Sequence, residues 1–386
     1  MSPLRKISQI IFTPILWPLY LLSGLIPKSQ AINVYGSPGN RFSDNAKYAY
    51  LKSSTQSHRK SKHYWITSNI SLIQKLRSHG LLAEHRWSVK GVIICCRAGK
   101  YHFSSYSSDV NFWTSRNSLH INYWHGVPFK KIEHDIYSGP LKTRFNPTNL
   151  IEKIHSFFWY LTSPAPKKRP DILYSPHAFF DQYFLSAFRI TEKNLRREVY
   201  PRVEFLKDNT ILPHDIYGAP LPEAILKLTS GKTTVLYAPT FRDSNKKSWI
   251  KNNILLHQKS IQRALAKKNI FLLIKPHPNE QIDQGQISKN IFVLSSQIDT
   301  YILMKSINHV VTDYSSIAVD AAQAGKNVYL LWPDLEDYKS KSRDLYFDIK
   351  EFYKGKYYSS LNSLLRDLES GGLKKNCVTP EINSLH

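Results

Sequence analysis

The chain has 386 residues, of which 42% are hydrophobic, and 53 Lys plus Arg stand against 29 Asp plus Glu for a formal charge of +24. At about 150 residues per domain this length fits two domains, and a composition without repeats or long polar tracts excludes disordered, collagen-like and coiled-coil classes. Three cysteines with no C-x-x-C pair, Cys95, Cys96 and Cys377, exclude a disulfide scaffold and a four-thiolate zinc site and fit a reducing cytoplasm.

The first predicted element is an uncharged apolar stretch, residues 8–26, flanked by Arg5 and Lys6 on one side and Lys28 on the other. Its length just permits one membrane span. Pro14 and Pro18 each remove a backbone donor, while Trp17 and Tyr20 favour the boundary between headgroups and tails, so a segment lying in one leaflet competes well with a full span. The following GLIPKSQA lacks the small-residue cleavage site of a secretory signal. Residues 1–30 are therefore expected to associate with a membrane; a buried helix of the soluble body is the competing reading.

Short β-branched or aromatic runs follow, separated by helical lengths. Strands are expected at 32–36, 63–67, 91–96, 119–124 and 172–176, then at 233–239, 270–276, 290–294, 309–313 and 327–333. Continuous apolar strands spaced this way read as parallel α/β units. The expectation is two doubly wound domains, 31–210 and 211–386, divided in the stretch 205–231 that carries Pro213, Pro220 and Pro222. The Pro-rich 162–170 reads as a surface loop of the first domain.

Open α/β sheets bind ligands just beyond the carboxyl ends of their strands, so residues at those points matter most. The strand at 119–124 runs into His125, Gly126, Val127 and Pro128, with Lys130 and Lys131 one turn later. A histidine there suits general-base work near neutrality, and is as readily a structural turn residue. In the second half, Thr240, Arg242 and Asp243 follow one strand and Lys275, Pro276, His277 and Pro278 another, a rigid cationic turn suited to a doubly charged oxyanion. Thr312, Asp313, Tyr314, Ser315 and Ser316 close a third strand and open a helix-like IAVDAAQAG, offering hydroxyls and free amides to phosphate, or simply an N-cap. Asp320 lies one turn further on, placed to reach a ribose hydroxyl or to face solvent.

The charge attracts anions, and nucleic acid, an anionic membrane face and a phosphorylated substrate all satisfy it. Basic residues are scattered through hydrophobic segments with only short runs such as Lys167, Lys168 and Arg169, which argues against nucleic acid. No Gly-rich nucleotide fingerprint, G-x-S-x-G elbow, H-E-x-x-H pair or D-x-D motif is present, so no metal site or cofactor is expected.

Together, WHGVPFKKI (124–132), LYAPTFRD (236–243), KPHP (275–278) and TDYSSIAVD (312–320) resemble, in order and spacing, the CDP-glycerol:glycerophosphate glycerophosphotransferases of teichoic acid and capsule synthesis. NRFSDNAKY (40–48) and PDLEDYKSKSRDLYFD (333–348) extend the likeness over about 32–370. The resemblance implies a GT-B fold, two Rossmann-like domains facing across a cleft, with the N-terminal one taking the acceptor and the C-terminal one CDP-glycerol. It implies a peripheral protein on the cytoplasmic face of the cell membrane, and a lipid-linked or polymeric acceptor. By the same likeness His125 and His277 are the functional histidines. Arg242, Lys275 and the 312–316 stretch serve the donor diphosphate, and Gly126, Lys130 and Lys131 lie toward the acceptor.

The chain departs from the family pattern at VYPRVEFL (199–206), which has Glu204 where Asp is usual and no glycine, and at Arg343, which is followed by Asp344. Family members also transfer ribitol phosphate, so the likeness leaves the polyol open. Two other readings stand beside it: a GT-B glycosyltransferase using a nucleotide sugar, and a non-catalytic basic protein that binds polyanions at a membrane.

Overall fold

The structure, a computed structural model, describes residues 3–56, 61–208, 216, 223–240, 250, 258–277, 280, 282–307, 309–335, 345–348, 352 and 357–370. Its contacts divide the chain into two units, Met1–Arg202 and Val203–His386, so the break falls upstream of the expected one at 210.

The first unit is built on β1 (Ser29–Gly36), β2 (Lys62–Thr67), β3 (Ala83–His85), β4 (Ala98–Phe103), β5 (Leu119–Asn122), β6 (Ile172–Ser175) and β7 (Leu195–Arg197). All pairs are parallel in the order β3-β2-β1-β4-β5-β6-β7, the doubly wound arrangement that reverses direction between β1 and β4. Its helices are α1 (Pro3–Ser23), α2 (Asp44–Gln56), α3 (Ile70–Ser78), α4 (Val89–Arg97), α5 (Lys142–Phe145), α6 (Leu150–Thr162) and α7 (Asp181–Phe188), and α8 (Pro201–Lys207) runs through the break at Arg202 into the second unit.

One strand expectation fails. GVIICC (91–96) lies in α4, and the strand is the next six residues, β4. A short continuous apolar run does not distinguish a strand from a buried helix. Here Ser88 caps the helix by accepting from the Gly91 amide, and a Cβ at Gly91 would come within 2.0 Å of the His85 carbonyl oxygen. The helical period then turns Ile94 and Cys95 inward against Val34 and Tyr101 and leaves Val89 and Ile93 exposed.

The second unit contains β8 (Thr233–Ala238), β9 (Ile270–Ile274), β10 (Gly285–Ser288), β11 (Ile291–Val293), β12 (His309–Thr312), β13 (Asn327–Leu331) and β14 (Tyr357–Tyr358), ordered β10-β11-β9-β8-β12-β13-β14. Only the edge strand β10 is antiparallel, folded back on β11. Every residue of β9 is buried, as a central parallel strand requires, each large aliphatic contributing about 1.5–3 kcal/mol. The helices are α9 (Glu223–Thr229), α10 (Gln258–Lys267), α11 (Thr300–Ser306), α12 (Ile317–Gln323) and α13 (Leu361–Ser370), of which α10 and α13 cover one face through Ile261, Leu265, Leu364 and Leu365.

The N-terminal stretch forms one helix, α1, that runs through both Pro14 and Pro18. No helix among the described residues is long and apolar enough to cross a membrane. Trp17 and Tyr20, expected at a lipid boundary, instead face protein. The Trp17 indole donates to the Leu161 carbonyl at 3.1 Å and meets Trp113 edge-on, while Tyr20 stacks on Phe112 at 4.7 Å. The Lys28 ammonium donates to the Ser23 and Cys96 carbonyls, which fastens the end of α1 to α4. Among the described side chains, the large hydrophobic ones that α1 leaves exposed are Ile15, Leu21 and Leu22, followed by Leu25.

Beside it runs α6, capped by Asn149, which accepts from the Glu152 amide. Leu150, Ile151, Ile154, Phe157 and Phe158 repeat at helical spacing and are all exposed, while the turn side of the helix is held by Ser156 donating to the Arg144 carbonyl. Two neighbouring helices of this unit thus each leave large apolar side chains exposed, the kind of surface that marks interaction faces.

Candidate active site

In the first unit, β5 ends at Asn122 and the chain turns sharply through Trp124, whose φ of 56° lies in the left-handed region, and Gly126, at φ 143°. A tryptophan there is strained by about 1–3 kcal/mol and needs surrounding structure to hold it. Asn122 accepts from the Trp124 amide at 2.8 Å, Asn45 donates to the Trp124 carbonyl at 2.9 Å, and Arg202 donates to the His125 carbonyl at 3.2 Å. Arg202 is in turn paired with Asp44 at 2.7 Å. His125 is exposed, its ring resting on that of Trp124 with centroids 4.2 Å apart. Gly126 serves the backbone conformation, and Lys130 and Lys131 are half-buried just beyond.

Asn45 and Arg202 hold the turn that carries His125, a task that their motifs do not reveal by themselves. DNAKY and YPR are the pieces that meet behind the histidine. Arg202→Met leaves the Asp44 carboxylate without its cation in a nearly closed site, and is expected to lower the unfolding free energy by about 3 kcal/mol. Urea unfolding followed by circular dichroism checks it; an unchanged midpoint would mean the pair contributes nothing to the turn.

In the second unit, the sheet reverses between β8 and β12, and most of the described second-half candidates lie at or beside the carboxyl ends of these strands. Thr312 is fully buried and donates to the Ala238 carbonyl at 2.7 Å, while Asp313 accepts from the Thr240 amide at 2.8 Å and from the Thr240 hydroxyl. These two residues therefore fasten β12 to β8. Tyr314 is buried, stacked against Trp332 with its hydroxyl on Asp334. Ser315 and Ser316 are half-buried at the start of α12, with the Ser316 side chain capping nothing. The Ser315 oxygen accepts from the Ile317 amide at 3.4 Å. Because α12 is only seven residues long, its dipole adds little to either serine.

Lys275 and His277 follow β9 next door. The Lys275 ammonium donates to the Pro276 and Ser296 carbonyls at 3.1 and 2.9 Å, and burial pushes its pKa down to about 8 although Asp299 pulls the other way. Two of its three hydrogens thus hold the turn. His277 is half-buried, its carbonyl accepting from the Glu280 amide. Asp320 corrects an expectation: it is fully buried and takes the Tyr301 hydroxyl at 2.5 Å, so it braces α12 against α11 and faces neither a ribose nor solvent. Arg242, Asp243 and Pro278 lie outside the described residues, as do Arg343 and Asp344. Among the described residues no group of three or more His, Cys, Asp or Glu side chains is placed to hold a metal ion.

Two doubly wound α/β units with polar and cationic residues at their strand ends define a two-domain α/β protein of the open-sheet class, in which ligands are taken beyond the carboxyl ends of the strands. The chain belongs to the CDP-Glycerol:Poly(glycerophosphate) glycerophosphotransferase family, whose model matches residues 20–382. It is similar to the teichoic acid poly(glycerol phosphate) polymerase of Bacillus subtilis strain 168, 24% identical over 91% of this chain and 45% of that protein. Against the teichoic acid glycerol-phosphate transferase of Staphylococcus aureus strain NCTC 8325 it is 24% identical over 70% of this chain and 65% of that one. The chain therefore spans from about half to two thirds of these relatives. Among solved structures it resembles the wall teichoic acid polymerase TagF, with a TM-score of 0.71, 20% identity, and 99% of this chain and 90% of that one covered. A TagF variant soaked with CDPG gives 0.70 at 20% identity, with 99% and 89% covered.

Proposed function

We propose that this chain transfers glycerol phosphate, or a related polyol phosphate, from CDP-glycerol to a hydroxyl of a membrane-linked or polymeric acceptor, releasing CMP. The observation that carries the reading is family membership across residues 20–382 together with retention of both histidines at strand ends, one in each unit. The TagF structure soaked with CDPG supports CDP-glycerol as donor. In this reading the first unit takes the acceptor and the second the donor.

The acceptor hydroxyl attacks the β-phosphorus of CDP-glycerol. The new P–O bond forms as the bond to the bridging oxygen breaks, CMP leaves, and the hydroxyl proton passes to the His125 ring. Such a reaction asks mainly for alignment and charge neutralisation. His277 with Arg242 and the remaining hydrogen of Lys275 meets the diphosphate, while the Ser315 and Ser316 hydroxyls bind its oxygens.

Donor binding to the second unit is read by thermal melts. A ligand at 100 times its dissociation constant stabilises the folded protein by about 2.7 kcal/mol. CDP and CDP-glycerol are expected to raise the melting temperature, and Ser315→Ala with Ser316→Ala to shrink that rise. An equal rise with UDP and GDP would remove the cytidine assignment, and no CMP from CDP-glycerol with any acceptor would remove the activity.

The protein docks peripherally on an anionic cytoplasmic membrane face through the exposed strips of α1 and α6, with the +24 charge adding long-range attraction. Phe157→Asp with Phe158→Asp is expected to release the protein from anionic vesicles in sedimentation at high salt, where charge attraction is screened. Wild type should stay bound there; complete release of wild type by salt would leave electrostatics alone.

A further inference from the structure

The stretch that carries His125 is strained at both ends. Trp124 opens it at φ 56° and Glu133 closes it at φ 48°, each in the left-handed region, where a side-chain-bearing residue persists only if its surroundings hold it there. Asn45, Asn122 and Arg202 fix the backbone of the first end. The second end has a support of its own. Glu133 is 6% exposed, and the hydroxyl of Tyr106, from the loop after β4, donates to its Oε1 at 2.5 Å. The same tyrosine ring meets the Trp124 indole edge-on with centroids 6.0 Å apart, and Trp124 packs against the His125 ring at 4.2 Å. One side chain therefore touches both ends of the stretch.

A carboxylate is costly to bury without a cation. Among the described residues no lysine or arginine pairs with Glu133, although Lys167, Lys168 and Arg169 line the same small cavity. Burial instead pushes its carboxyl up to about 7, with the Tyr106 hydroxyl pulling the other way. Stability alone would favour a small or apolar residue, or glycine, at a buried left-handed position. A glutamate here departs from that preference and supplies one specific thing, an acceptor for Tyr106.

We propose that Tyr106 and Glu133 are positioning residues for His125: their hydrogen bond fixes the tyrosine ring against Trp124, and Trp124 sets where the His125 ring stands. The effect on turnover rests on the transfer reading, and the placement of the ring does not.

Two readouts test it in the full-length protein. The first is the carbon–proton resonance of His125 Cε1 in histidine-labelled protein, assigned as the signal missing from His125→Ala. The second is CMP release from CDP-glycerol. Tyr106→Phe keeps the ring and loses only the hydroxyl. It is expected to move the His125 resonance from the position that the Trp124 ring current gives it, and to lower kcat about tenfold with donor affinity unchanged. Glu133→Leu should do the same, and the double variant should lose no more than either alone. Glu133→Gln, whose amide oxygen still accepts from Tyr106, is expected to keep the resonance in place and hold kcat within about twofold of wild type. A purely structural pair would instead lower the melting temperature of the variants, with kcat following the folded fraction and the resonance unmoved. An unmoved resonance in folded Tyr106→Phe protein would overturn the proposal. So would a further tenfold loss from Tyr106→Phe in a His125→Ala background, where no base is left to position. A resonance that moves in a protein releasing no CMP would keep the positioning and remove the transfer reading, so the two failures are distinguishable.

Discussion

His125→Ala is expected to lower turnover by about 100- to 10,000-fold while leaving CDP-glycerol affinity close to wild type, because general-base help is felt in the transition state and not in donor binding. The geometry supports a large effect. The ring is exposed at a strand end, while its backbone is fixed by Asn45, Asn122 and Arg202 around a strained Trp124, so the base is held in place before substrate arrives. CMP-release assays run beside circular dichroism melts decide it. A folded His125→Ala enzyme with near wild-type turnover would remove the base and leave only the donor half of the mechanism.

His277→Ala is expected to cost on the order of 100- to 1,000-fold in turnover and, unlike the first substitution, to weaken CDP-glycerol binding as well. Its turn carries Lys275, and the diphosphate it would face is charged in the ground state as much as in the transition state. The two variants therefore separate by donor affinity. Two structural histidines would instead give variants that lose melting temperature and keep activity in proportion to the folded fraction. Donor affinity unchanged in a folded His277→Ala protein would move this histidine away from the diphosphate.

Strand positions were legible where the run was apolar, β-branched or aromatic and away from the sheet edge: INVYG, HYWIT and IFLLI became β1, β2 and β9. They were not legible where the pattern was polar, as in AGKYHF, or short and at an edge, as in Ala83–His85 and Tyr357–Tyr358. The histidine turn could be read from His125-Gly126 after a strand, but not the side chains that hold it. Asn45 and Arg202 reach it from 79 and 77 residues away, and no local pattern encodes such a contact. Asp313 follows a strand end and Asp320 sits a turn into α12, and what no local pattern shows is the partner each finds within the fold: Thr240 for one, Tyr301 for the other. For α6 the period was readable in LIEKIHSFFWYL, yet periodicity marks only an apolar side, never whether the fold covers it.

The bond from Trp17 on α1 to the Leu161 carbonyl at the end of α6 has a geometrical consequence. One amphipathic helix on a bilayer leaves its cargo free to roll about the helix axis. Two helices tied to one another and both resting on the bilayer would remove that rotation. If the docking proposed above holds, a protein resting on α1 and α6 together presents its first unit at one fixed tilt and height, and an acceptor carried in the membrane approaches that unit by lateral diffusion in two dimensions.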